Sequence, residues 1–204
     1  MNSKILNQDE LKILYDVLNA HVVDRARFSL SLLLDEQFRH EIKSTHMHIS
    51  SIDLREKLSV DHIFYSVFLT GEGDIRLGIL YSIPEPDARK IAAKLLGLEQ
   101  IDLLDDIGKS AISEVGNIMS GSFFNALSDH TGLKVELSTP AFAIISNGSI
   151  LEPHASEFLN SPDDMLTQIK LEGKESRIVV HMLIIQDHNN ARKLLYKKGI
   201  SVQS

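Results

Sequence analysis

With 204 residues, 43% of them hydrophobic and none a cysteine, the chain is long enough for one sizeable core or two small ones, and no disulfide, thiolate nucleophile or zinc–thiolate centre is available to it. A formal charge of −7, with no run of Lys or Arg longer than a pair, excludes the clustered cations that nucleic-acid backbones need. No apolar run approaches the roughly 20 residues of a membrane span. The opening MNSKILNQDELKIL lacks an apolar signal core, so the expectation is a cytoplasmic protein in which Asn147-Gly148-Ser149 is only a turn.

Residues 8–34 predict a helix, because Leu11, Leu14, Leu18, Val22, Ala26 and Leu30 recur at helical spacing. A strand is expected over 46–52, where His46, His48 and Ser50 alternate with Met47, Ile49 and Ser51. The runs 63–70 and 75–83 flank Gly71-Glu72-Gly73-Asp74 and predict a hairpin. Pro84 and Pro86 end it and open a helix over 87–96, stopped by Gly97. A long helix begins at Asp105 or Asp106, contains no proline and stops at Gly132. Residues 133–145 then read as a strand interrupted near Ser138-Thr139-Pro140, since proline inside a strand marks an edge or a bulge. A loop with a short helical piece is expected over 146–162. A second hairpin (165–171 and 178–185) crosses Glu172-Gly173-Lys174-Glu175, and a last helix covers 190–198.

The order helix, strand, hairpin, helix occurs twice. Glu72-Gly73 recurs at Glu172-Gly173, Ala88-Arg89-Lys90 at Ala191-Arg192-Lys193, and Asn19 at Asn117. Two units are too few for a stacked array, so the repeats (about 8–98 and 103–198) are halves of a single domain over 1–204. The fold class expected is α+β.

At about 100° per residue, the long helix gathers Ile112, Val115, Met119, Phe123, Ala126 and His130 on one side, which should face a core. Ser110, Glu114, Asn117 and Gly121 share a narrow stripe opposite. Asn is a poor mid-helix residue, and Gly116 and Gly121 each cost roughly 1 kcal/mol relative to Ala there. Periodicity alone leaves two readings open: a solvated face with incidental glycines, or a docking face from which Glu114 and Asn117 reach into a partner.

Ser110-x3-Glu114-x2-Asn117, with 22 residues before Pro140, resembles the signature of the CheC/CheX/FliY phosphatases of chemotaxis, and the run GNIMSGSFFNALSDHTGLKVE resembles the second motif helix of CheC. The resemblance selects the docking face. It implies two halves related by a pseudo-two-fold axis, one continuous sheet, and two long helices side by side on one of its faces. It also implies hydrolysis of the aspartyl phosphate on a CheY-type response regulator. Glu114 and Asn117 would be catalytic, with Ser110, Gly121, Phe124 and Pro140 on the partner-binding side. No cofactor of its own is implied, the regulator supplying Mg²⁺. The alternative within the resemblance is a non-catalytic adaptor that binds a CheD-type receptor deamidase or a response regulator, and family members occur as monomers and homodimers.

By the repeat, Lys12, Asp16 and Asn19 stand where Ser110, Glu114 and Asn117 stand in the second half. Asp is one methylene shorter than Glu, Ile42 replaces the proline, and bulkier residues follow Asn19. One working face is expected, not two. A metal hydrolase would have to draw on His46 with His48, or His181 with His188, but no HExxH pattern is present and no metal site is expected. The Gly71–Asp74 run lacks the strand-and-helix context of a nucleotide loop.

Overall fold

Asn7 opens the first helix with a reciprocal cap. Its side chain accepts from the Glu10 N–H, and the Glu10 carboxylate accepts from the Asn7 N–H. Helix α1 (Gln8–Val17) widens into a π-helical segment (Leu18–Val23) and continues as α2 (Asp24–Leu33). The rod expected over 8–34 is therefore present but interrupted. This computed structural model describes residues 6–47, 63–145, 158 and 164–197, without the side chains of Asn19, Ala20, His21, Ser44, His46, Met47 and Lys197.

Strand β1 (Phe38–Met47) starts well before the strand expected at 46–52, of which 48–52 lie outside the described residues. Arg39, Glu41 and Lys43 are exposed and make this stretch too charged to read as a strand, yet Phe38 on the other face is buried. Its register against β6 slips at Lys43, between Ile42 and Ser44. Charges and a bulge on an edge strand discourage pairing with another chain.

The first hairpin is β2 (Phe64–Gly73) and β3 (Leu77–Pro84), followed by α3 (Glu85–Leu96), which Gly97 ends at φ +67°. Then come α4 (Asp106–Thr131), β4 (Val135–Leu137), β5 (Ala141–Ile145), β6 (Asp164–Gly173), β7 (Val179–Asp187) and α5 (His188–Lys197). The loop expected over 146–162 lies outside the described residues, Phe158 excepted.

Among the described residues all pairings are antiparallel within one seven-stranded sheet ordered β1-β6-β7-β3-β2-β4, with β5 continuing β4 along the same edge of β2. The order reads alike from both ends about the β3–β7 pair. A pair of hydrogen bonds repeats across that centre. Asp87 in α3 accepts from the Val179 N–H at 3.0 Å, and Asn190 in α5 accepts from the Arg76 N–H at 3.1 Å. Each half thus caps the hairpin of the other.

α2 packs beside α4, and both lie over the sheet, on a core that includes Val67, Ile79, Tyr81, Met182 and Ile184. Gly116 sits where α4 crosses β2, and a Cβ there would stand 2.7 Å from Val67 Cγ1. A Cβ on Gly121 would meet nothing within 4 Å. Of the two costly glycines, therefore, only Gly116 serves a close approach, and that approach is to a strand. Gly121→Ala should raise stability by about 1 kcal/mol through helix propensity. Gly116→Ala should lower it despite the same propensity gain, because Val67 has to yield. Urea unfolding of the two variants checks the opposite signs.

Candidate functional site

The site rests on α4. Asp105 caps it, its carboxylate accepting from the Gly108 N–H at 2.9 Å, and Gly132 ends it at φ +72°. Ile112, Val115, Met119 and Phe123 are fully buried as expected, while Ala126 and His130 are only partly so. Ser120 adds a tie the sequence did not suggest. Its hydroxyl donates to the Tyr81 hydroxyl at 3.3 Å, fixing α4 to β3, and burial pushes the Tyr81 phenol far up from its ordinary value. The buried arc is wider than the periodicity implied, because α4 is covered by α2 as well as by the sheet.

On the opposite side Glu114 is exposed and Asn117 half-exposed. The Asn117 amide donates to Glu114 Oε2 at 3.5 Å, and no cation among the described residues pairs with Glu114. The acid and the amide thus share one face, one helical turn apart, with a weak bond between them that a partner's groups can replace. Ser110 is exposed on the same stripe, but its hydroxyl donates to the Asp106 carbonyl at 2.8 Å, so it is turned onto its own helix and does not hold Glu114. Gly121 leaves an open, flat patch beyond Asn117.

Pro140 stands at the break between β4 and β5, where Ser138 takes over the edge of β2 by donating its N–H to Thr70 O and accepting from Thr70 N–H. With Phe142 it forms one wall of a shallow groove whose other wall is Asp106, Lys109, Ser110, Ser113 and Glu114 of α4. Pro140 thereby lines the same groove as Ser110 and Glu114.

Phe124 does not. It is 1% exposed, stacked edge-on against Phe123 at a centroid distance of 5.3 Å and seated over Gly71. By phase Phe124 shares the stripe of Asn117, seven residues before it, but towards the end of α4 that side of the helix is covered by β2 and by Val135 of β4. It is a core residue, and the expectation that it meets a partner is corrected.

Lys12 and Asp16 on α1 are exposed, but the position matching Asn117 falls inside the π segment. The two rods are equally long from cap to cap, 27 positions from Asn7 to Leu34 and 27 from Asp105 to Gly132, so the π segment shifts the helical phase locally, at the motif itself. Lys12, Asp16 and Asn19 therefore lack the unbroken α-helical register that aligns Ser110, Glu114 and Asn117.

Among the described residues no three His, Asp or Glu side chains converge on a metal position. His48 lies outside them, and His181 is mostly buried, which lowers its basicity.

A pseudo-symmetric antiparallel sheet carrying a long helix with Ser-x3-Glu-x2-Asn on its outer side has counterparts among known proteins. The CheC-like family model matches residues 107–144, which is α4 and the strands after it. CheY-P phosphatase CheC of Bacillus subtilis is 27% identical over 145 residues, covering 67% of this chain and 69% of the relative. CheY-P phosphatase CheX of Thermotoga maritima is 29% identical over 107 residues, covering 50% of this chain and 68% of the relative. The solved structure of Thermotoga maritima FliY superposes with a TM-score of 0.75 at 16% identity, over 96% of this chain and 98% of that one. The chain is thus similar to CheC-like proteins in sequence, most specifically over α4 and the strands after it, and shares its fold with the FliY structure. No described helix is long and apolar enough to cross a membrane.

Proposed function

We propose that the protein accelerates hydrolysis of the aspartyl phosphate on a CheY-type response regulator. The observation that carries the reading is the exposed Glu114–Asn117 pair, held on one face of a rigid helix with its hydrogen-bonding capacity nearly unspent. The names of the CheC and CheX relatives support it, as does a solved CheX–CheY–BeF3–Mg²⁺ complex from Borrelia burgdorferi that covers 89% of this chain at a TM-score of 0.54.

In this reading water attacks phosphorus in line, the phosphorus–acyl oxygen bond breaks, and inorganic phosphate leaves a free aspartate. Such a transition state demands positioning and charge neutralisation more than covalent help. The Asn117 amide holds the attacking water by accepting a hydrogen bond from it with its carbonyl oxygen, as a water-positioning glutamine does in GTPases, and the water's proton leaves with the phosphate. Glu114 pairs with a lysine beside the regulator's phosphoryl group and sets the register of docking. One carboxylate and one amide make a poor magnesium site, so the ion at the phosphoryl group is assigned to the regulator. The wall of Pro140 and Phe142 limits the angle at which a partner approaches Glu114.

The test is the decay of phosphorylated regulator with and without the protein. Faster loss of phosphate is expected. An unchanged decay rate, together with co-purification of a CheD-type deamidase, would make the chain an adaptor instead.

A further inference from the structure

Helix α4 starts with an anomaly. Ile107, in its first turn, is 63% exposed, and Leu103 just before the helix is 71% exposed. Leu104, between them, is buried and packs against Gly108. The local fold therefore buries one apolar residue and leaves its two apolar neighbours in solvent. A β-branched residue in the first turn contributes nothing to starting a helix, where small polar and acidic residues do better.

Seven residues separate Ile107 from Glu114, which at about 100° each brings them within roughly 20° of one another around the helix and about 10 Å apart along it. Ile107 is thus the N-terminal continuation of the stripe that carries Ser110, Glu114, Asn117 and Gly121. The groove of Asp106, Lys109, Ser110 and Pro140 runs alongside that interval and reaches Glu114 at its end. Any partner that seats its phosphoryl pocket on Asn117 has its surface carried along the same stripe toward Ile107.

We infer that Ile107, with Leu103, is an apolar anchor for the response regulator, meeting an apolar strip about 10 to 15 Å from the phosphoaspartate along α4. This rests on the proposed phosphatase reading and adds to it the residues that set affinity for the regulator. Glu114 is one ion pair, and an exposed ion pair is worth little. Desolvated aliphatic contacts surrounding a polar centre are the usual source of binding energy in a small interface. Ile107 neither touches the phosphoryl group nor orients the water, so its action is confined to complex formation.

The experiment measures regulator-phosphate decay over a range of regulator concentrations for the full chain, Ile107→Asp, Ile107→Leu, Leu103→Asp and Asn117→Ala, with sedimentation of each protein alone. Ile107→Asp is expected to raise KM about tenfold with kcat unchanged, Leu103→Asp to raise it less, and Ile107→Leu to stay near the parent. Since both side chains are exposed, thermal unfolding should not move. A KM unaffected by Ile107→Asp while Asn117→Ala abolishes turnover overturns the anchor and leaves the phosphatase reading standing. No loss on Asn117→Ala overturns the reading beneath it. A change in oligomeric state with KM intact assigns the patch to a second copy of the chain and likewise overturns the anchor.

Discussion

Asn117→Ala is expected to remove most of the acceleration of regulator-phosphate loss, on the order of 100-fold in kcat, while KM for the regulator stays within about threefold. The asymmetry follows from the site. The Asn117 side chain is half-exposed and bonded only weakly to Glu114, so its removal leaves no cavity and no buried group without a partner. On the proposed function, what disappears is the group that aligns water with phosphorus, an interaction made only as the reaction proceeds. Glu114→Lys should show the opposite pattern. A cation facing the regulator's lysine repels it, so KM rises, while turnover of the complexes that still form is largely retained. Asp16→Ala is the matched control in the first half and should alter neither parameter, because the π segment breaks the register between Asp16 and Asn19. An Asp16→Ala variant that halves turnover would mean that both halves work.

The stripe of Ser110, Glu114 and Asn117 is legible in the sequence because it depends on one variable, helical phase, and α4 is an uninterrupted α-helix in which phase accumulates without error. The same arithmetic failed in the first rod. Its apolar spacing is that of a helix, but six residues in its middle take π geometry, and no side-chain pattern announces the change. Comparison of the two halves does not reveal it either, since both rods are equally long from cap to cap. β1 was missed for another reason. Its exposed face is Arg39, Glu41 and Lys43 on a sheet edge, where charge protects against aggregation and simultaneously hides the strand. Ile107 needed no structure to place it on the stripe, but exposure alone separates it from a core isoleucine.

Phe124 shows where helical phase stops being informative. In α4 the positions 100° apart at Phe123 and Phe124 are both buried, because one meets the sheet squarely and the other meets it over a strand that has a glycine at that point. A Cβ on Gly71 would lie 2.3 Å from Phe124 Cε1 and 2.5 Å from Val135 Cγ1, so the ring occupies the space a side chain at residue 71 would need. Phe124→Ala should therefore cost about 3 to 5 kcal/mol, a large share of the 5 to 15 kcal/mol typical of a folded domain. The folded fraction should keep its KM and kcat, which is the reverse of what a partner-facing phenylalanine would give. Gly71→Ala should destabilise the parent by overpacking but cost less in the Phe124→Ala background, where the ring is gone and only Val135 still crowds the new methyl. Urea midpoints for the four proteins measure that coupling. Additive losses would show that Phe124 and Gly71 do not share the space, and a raised KM with unaltered stability would return Phe124 to the docking face.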